Sequence, residues 1–189
     1  MQNRQPISVL IMATNGYEDS ELYAPQEALQ KAGFQTTLAS INRNPVSGVI
    51  WDDAVGASKP STRRITPDRT LADVSVDDFD ALVLPGGVTN PDTLRMVPQA
   101  VDIVRDFMAQ KKVVAAICHA PWLLVEADVL RGRQVTGWYS IRRDLINAGA
   151  EVSDKEVVVD GNLITSRMPA DIPAFTQALT AALKKGNTK

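Results

Sequence analysis

The chain reads as an α/β protein in which a mainly parallel sheet carries helices on both faces. Three observations predict this. Short β-branched or small apolar runs recur along the 189 residues, with stretches of helical spacing between them. The runs at 6–12, 80–84 and 113–117 are apolar almost throughout rather than alternating, as strands buried on both faces are. Glycine and proline punctuate the junctions where strand would give way to helix.

Taken in order, PISVLIM (6–12) predicts the first strand, and Asp19 to Lys31 a helix stopped by Gly33. QTTLAS (35–40) predicts a second strand. DALVL (80–84) predicts a buried strand that runs into Pro85-Gly86-Gly87. Pro98 opens a helix whose Val101, Val104, Phe107 and Met108 share a face, with Arg105 and Asp106 pointing outward. Val113 to Ile117 is too short for a helix and right for a buried strand. Beyond it Pro121 sits where a first helical turn tolerates proline, and Trp122, Leu123, Val125, Glu126 and Leu130 continue at helical spacing. A further helix is expected from about Ile141 to Ala148, ended by Gly149. EVVVDGNLITS reads as a hairpin around Asp160-Gly161-Asn162, and AFTQALTAALKK after Pro173 as an amphipathic terminal helix. Residues 42–70 are rich in Pro, Ser, Gly and charge and show little periodicity. They are expected to form a variable flap with a short hairpin, or a partner surface, within a single domain spanning 1–189.

Composition narrows the function. With 44% hydrophobic residues, a chain of this length can bury a substantial core. Net charge is −2 and the basic residues cluster only as doublets such as Arg63-Arg64 and Lys111-Lys112, which argues against a nucleic-acid partner. No stretch approaches the ~20 apolar residues of a membrane helix, and the run from Ile7 to Ala13 is not a signal peptide, so no membrane partner is expected. A single cysteine excludes an internal disulfide and suits a reducing compartment, so a cytoplasmic location is expected.

That cysteine and the only histidine are adjacent, Cys118-His119, at the strand-to-helix junction after 113–117. A nucleophile on such a turn projects above the carboxyl end of a sheet. Free N–H groups of the new helix are expected to hold the thiol below the ~8.5 of a free cysteine. Open α/β sheets bind ligands beyond the carboxyl ends of their strands. Two further polar features fall at such ends. Glu18 follows the first strand at the mouth of a helix, and Gly86-Gly87 follows 80–84, where missing side chains allow close backbone approach and an oxyanion-binding N–H.

Four strings carry a resemblance to a known family: GYEDSEL (16–22), FDALVLPGGVTNPDTLR (79–95), AAICHAPWLLVEADVLRGR (115–133) and RRDLINAGAEVSDKEVVVDGNLITSRMPADIPAF (142–175). They resemble the DJ-1/PfpI family, in its PfpI-type branch of intracellular proteases and general stress proteins. The resemblance implies a flavodoxin-like, class I glutamine amidotransferase-like three-layer sandwich that forms homodimers, sometimes hexamers. It implies Cys118 as nucleophile, hydrogen-bonded by a protonated Glu18, with His119 beside it and the N–H groups of Gly87 and His119 as oxyanion donors. In protease-like members a carboxylate from a neighbouring subunit completes a triad, and the aligned residue is Asp92. Asn90-Pro91-Asp92-Thr93 also reads as a turn whose Asp caps a short helix. Two departures stand out: Ala120 replaces the usual glycine after the histidine, and 42–70 holds no histidine where many relatives carry one.

One histidine also excludes alternatives. A glutamine amidotransferase needs a distant histidine as base, and a zinc site needs a His/Cys cluster; this chain has neither. No glycine-rich phosphate loop of dinucleotide or Walker type occurs, so no cofactor is expected. A thiolate adding to an aldehyde gives a hemithioacetal, whose proton Glu18 is placed to shuttle. The resemblance implies hydrolysis of peptides, or glyoxalase-type conversion of glyoxal or methylglyoxal with related removal of early glycation adducts. Cysteine, proton carrier and oxyanion site suffice for the latter, so the small carbonyl is the favoured substrate. Peptide hydrolysis needs an oriented imidazole and hence a second subunit. A redox sensor or stress chaperone built on oxidation of Cys118 is the reading outside the enzymes.

Overall fold

The computed structural model describes residues 6–186. The first five and last three residues, counted in the same domain by the sequence reading, lie outside them. Strand β1 (Ser8–Met12) leads to α1 (Asp19–Lys31), which Gly33 terminates at φ 85°, and then to β2 (Gln35–Ser40). The irregular stretch after it is ordered. β3 (Val46–Asp52) and β4 (Ala57–Ile65) pair as an antiparallel hairpin with a bulge between Ser47 and Val49, and β5 (Arg69–Thr70) returns to the main sheet beside β2. The core strand β6 (Ala81–Leu84) follows, then α2 (Thr89–Leu94) and α3 (Pro98–Ala109). β7 (Val113–Ile117) runs into α4 (Pro121–Glu126). The helix stops there rather than reaching Leu130, because the chain turns through Asp128 at φ 54°. β8 (Gln134–Val135) pairs in parallel with β9 (Glu151–Val152) on either side of α5 (Arg142–Asn147). The expected terminal hairpin is β10 (Val157–Asp160) with β11 (Leu163–Ser166), and α6 (Ile172–Gly186) closes the described chain.

Seven strands form one sheet in the order β10-β11-β7-β6-β1-β2-β5, parallel except for the edge strand β10. Apolar continuity dictates which strands are central. Val9 to Met12, Ala81 to Val83 and Val114 to Ile117 are fully buried, which only strands covered on both faces can be. Helices α1 and α6 pack together on one face, and α2, α3, α4 and α5 form the other layer. From β1 the chain passes to β2 on one side and later to β6 on the other, so the strand order reverses between β1 and β6. The carboxyl ends of β1, β6 and β7 therefore open onto one crevice. The sequence places these elements well and reads the flavodoxin-like, three-layer class correctly.

The β3–β4 hairpin covers that crevice. The Gly16 N–H donates to the Ser47 carbonyl at 2.8 Å, the Val49 N–H to the Tyr17 carbonyl at 2.7 Å, and the Ser47 N–H to Asn15 Oδ1 at 2.9 Å. Residues 42–70 are thus a docked flap, laid against the loop between β1 and α1.

Candidate active site

Cys118 occupies the turn between β7 and α4 in the left-handed region, at φ 64°. A non-glycine residue there stores strain, and strain of this kind clusters at functional sites. The turn is pinned by its neighbours: the Cys118 N–H donates to the Ser166 carbonyl at 3.1 Å, and the Trp138 N–H to the Cys118 carbonyl at 2.9 Å. The thiol lies at one wall of a cavity of about 180 Å³ and is 5% exposed.

The carboxyl beside it is not the one expected. Sequence analysis put Glu18 against the sulfur; the structure puts Glu21 there. Glu21 is fully buried, accepts the Gly86 N–H at 2.8 Å through Oε2, and meets the thiol of Cys118. Its other oxygen has no N–H or O–H partner, so a thiol neighbour is what that carboxyl has left to bond. Glu18 precedes α1 as its N-cap, where its carboxylate accepts the Glu21 N–H at 3.0 Å, the Ser20 hydroxyl, and the Trp51 N–H at 3.3 Å. Both acids line the cavity, yet Glu18 is consumed by the helix start and the flap. A signal for Glu21 was present in the sequence. It stands at the i, i+4, i+8 spacing with Pro25 and Leu29 on the stripe of α1 that faces the sheet, and an acid on a core stripe needs a reason.

The glycine pair after β6 packs against the thiol and its acid. Gly87 sits at φ 77°, and its N–H and that of His119 both donate to the Cys118 sulfur. A Cβ on Gly86 would lie 2.5 Å from Glu21 Oε2 and 2.6 Å from Cys118 Cβ, so only glycine lets acid and thiol meet. Buried Asn90 holds this loop to the first: its Oδ1 accepts the Thr14 N–H at 2.7 Å and its Nδ2 donates to the Pro85 carbonyl at 2.9 Å.

Electrostatics reverse one expectation. The thiol is raised, not lowered. Burial is the main cause and the Glu21 carboxylate the second, opposed by the N–H groups of Gly87 and His119. Burial likewise raises the Glu21 carboxyl well above the usual carboxylate range, with Glu18 adding to it. Thiol and acid titrate as a pair, and a single negative charge shared between them is the form that the two N–H donors at sulfur stabilise.

His119 sets Nδ1 3.2 Å from Sγ and Nε2 3.4 Å from the Ser140 hydroxyl. Burial against the Trp138 ring, 5.5 Å away and nearly parallel, pushes it down to about 4, so the imidazole is neutral near pH 7. Asp92 is exposed in the first turn of α2, which begins at Thr89, so it neither caps that helix nor lines the cavity within this chain. Missed from sequence were the aromatic walls. Trp51 of the flap meets Trp138 edge-on at 5.0 Å, and Tyr139 stacks on Trp138 at 4.4 Å. Rings from two distant segments, Trp51 of the flap and the adjacent Trp138-Tyr139, converge only once the flap has docked. Among the described residues, no group of three or more His, Cys, Asp or Glu is placed to hold a metal, and no helix is long and apolar enough to cross a membrane.

Comparison with known proteins agrees with this geometry. The model of the DJ-1/PfpI family matches residues 7–182. General stress protein 18 of Bacillus subtilis is 43% identical over 179 residues, covering 94% of this chain and 98% of its own. Deglycase PfpI of Pyrococcus furiosus is 39% identical over 178 residues, covering 94% of this chain and all of its own (100%). The crystal structure of Drosophila melanogaster DJ-1beta superposes with a TM-score of 0.82 at 32% identity, covering 95% of this chain and 91% of that one. With a strained cysteine above the sheet, a buried acid against it and a family match along nearly all its length, the chain belongs to the DJ-1/PfpI family.

Proposed function

We propose that this protein is a cysteine-dependent enzyme of deglycase or glyoxalase type, acting on glyoxal, methylglyoxal or their early glycation adducts in a reducing, cytoplasmic setting. One observation carries the reading: a fully buried acid, Glu21, hydrogen-bonds with a buried thiol at the wall of a small cavity. A nucleophile, a proton carrier at its side and two N–H donors are what carbonyl addition requires. The relative named a deglycase supports the same class.

With methylglyoxal, Cys118 sulfur bonds to the aldehyde carbon while the carbonyl electrons move to oxygen. That oxygen accepts the N–H groups of Gly87 and His119 and takes the proton held by Glu21, giving a hemithioacetal. The freed Glu21 carboxylate removes the remaining hydrogen of that carbon as a proton, leaving an enediolate. Glu21 returns that proton to the neighbouring carbon while the hydroxyl proton passes to the neighbouring oxygen, giving a thioester of the hydroxy acid. Water then breaks the C–S bond, releasing lactate and the thiol. Glu21 replaces Glu18 as the shuttle of this scheme.

A specific contact favours a second reading. The neutral His119 imidazole at 3.2 Å from sulfur is the pairing of a cysteine peptidase, with Asp92 of a neighbouring subunit as its orienting carboxylate. Against it stands the shape of the site, a cavity roofed by Trp51 rather than a groove open to an extended chain. Lactate formation from methylglyoxal, measured beside hydrolysis of fluorogenic peptides, tests the choice. Wild type should form lactate and Cys118→Ser should form none. Peptide cleavage without lactate would select the peptidase.

A further inference from the structure

We propose that the cavity is an anion-excluding site, admitting neutral and cationic carbonyl compounds and turning away those that carry a carboxylate or phosphate, with Glu18 as the residue that sets this selection. The proposal rests on the reading above for its substrates.

Three observations lead to it. No lysine or arginine lines the cavity among the described residues, whereas Glu18 does and is 4% exposed. All three bonds to Glu18 are donated to it, by a hydroxyl and two backbone N–H groups, so its arrangement is that of a carboxylate held in place. The rest of the lining is uncharged apart from Glu21, and it includes Trp51, Trp138 and Tyr139, aromatic rings whose π-faces attract cations and repel anions.

Cations close in sequence to the lining residues Ser58 and Pro169, and Arg142 three residues beyond Tyr139, each form an ion pair. Lys59 lies 3.5 Å from Asp52, and Arg142 and Arg167 each lie 2.7 Å from Asp154. The donors this site offers to a developing negative charge are the backbone N–H groups of Gly87 and His119, which donate to the Cys118 sulfur. Glyoxal and methylglyoxal pass this filter. Glyoxylate and phosphorylated triose aldehydes, with similar carbonyls and a permanent charge, do not.

Alkylation of Cys118 reads the filter without any turnover, so this proposal and the functional reading fail separately. Rate constants with iodoacetamide (neutral) and iodoacetate (anionic) are compared at one pH, and their ratio is divided by that of 2-mercaptoethanol. The ratio cancels the thiolate fraction, and the two reagents are nearly equal in size. Wild type should prefer iodoacetamide by at least about tenfold beyond the free thiol, the effect of a like charge a few ångströms away in a poorly screened site. Glu18→Gln, which keeps the acceptor oxygen of the cap, should bring the ratio back toward the free-thiol value. Ser58→Lys, which places a cation on the exposed rim opposite Trp51, should do the same with little risk to folding. A wild-type ratio within about threefold of the free thiol overturns the proposal. So does a large ratio that neither substitution lowers.

Discussion

Glu18 and Glu21 are both acids, three residues apart at the start of one helix, and the fold gives them opposite tasks. Glu18 satisfies one orphan N–H of α1, that of Glu21, and ties down the flap; Glu21, one turn in, faces the core and the thiol. The Cys-His pair was legible in the sequence because a strand-to-helix junction is a local pattern. Choosing between two glutamates was not, since it depends on which side of the helix meets β6 and β7. Glu21→Gln should lower methylglyoxal turnover by about 10²-fold or more, because a shuttle is lost, whereas Glu18→Gln should keep most of it. The same Glu21→Gln removes the carboxylate that raises the thiol, so iodoacetamide labelling of Cys118 should rise at lower pH than in wild type. An unchanged labelling profile would break the proposed pairing. His119 gives a second residue-level expectation. Its folded value of about 4 lies below the ~6.5 of an unfolded imidazole, so the unfolded chain binds the proton first as pH falls. Its contribution is whole above about pH 6.5 and shrinks below it, by about 2 kcal/mol between pH 7 and pH 5 and about 3 kcal/mol by pH 4. Urea unfolding of wild type against His119→Asn across that range should show the variant losing less.

Among the elements, the strands that build the crevice announce themselves through unbroken apolar runs, and their predicted bounds agree with the structure to within two residues. The flap did not. Its β4 strand (ASKPSTRRI) is mostly exposed, so no alternation or apolar run marks it, and its order comes from main-chain bonds to the β1–α1 loop and from side chains on α1. There Ser61 donates to Asp19 at 2.5 Å, and the Arg63 guanidinium stacks 3.3 Å over the Tyr23 ring. The glycines separate what a turn requires from what the site requires. Gly56 in the flap turn and Gly87 beside the thiol share a positive φ, at 68° and 77°. A Cβ on Gly56 meets nothing within 4 Å, while one on Gly87 would lie 2.1 Å from the Gly16 carbonyl oxygen. Gly56→Ala should therefore cost about 1–2 kcal/mol, the left-handed penalty alone. Gly87→Ala should cost clearly more and displace an oxyanion donor. Equal losses in thermal unfolding would mean that the loop beside Cys118 yields more easily than its packing implies.

At the scale of the whole molecule, every group that the carbonyl mechanism uses comes from one chain. Helix α1 supplies the acid, the turn after β6 an N–H, the elbow after β7 the thiol and a second N–H, and the flap a roof. Asp92 is the exception among the residues singled out in sequence, because its only route to His119 crosses an interface. Its exposure on α2 fits a residue that waits for a neighbour, and also one with no part in the chemistry. The two enzyme readings therefore differ in what they demand of assembly. A peptidase that orients His119 through Asp92 of another subunit should lose activity in Asp92→Asn and on dilution to a smaller oligomer. A carbonyl enzyme needs no oriented imidazole, since Glu21 already carries the proton and burial keeps His119 neutral. Methylglyoxal turnover by Asp92→Asn should then stay within about twofold of wild type, with an unchanged size-exclusion profile, and should persist in a homodimer. Loss of turnover in a variant that still assembles normally would place Asp92 in the reaction, and with it the second subunit.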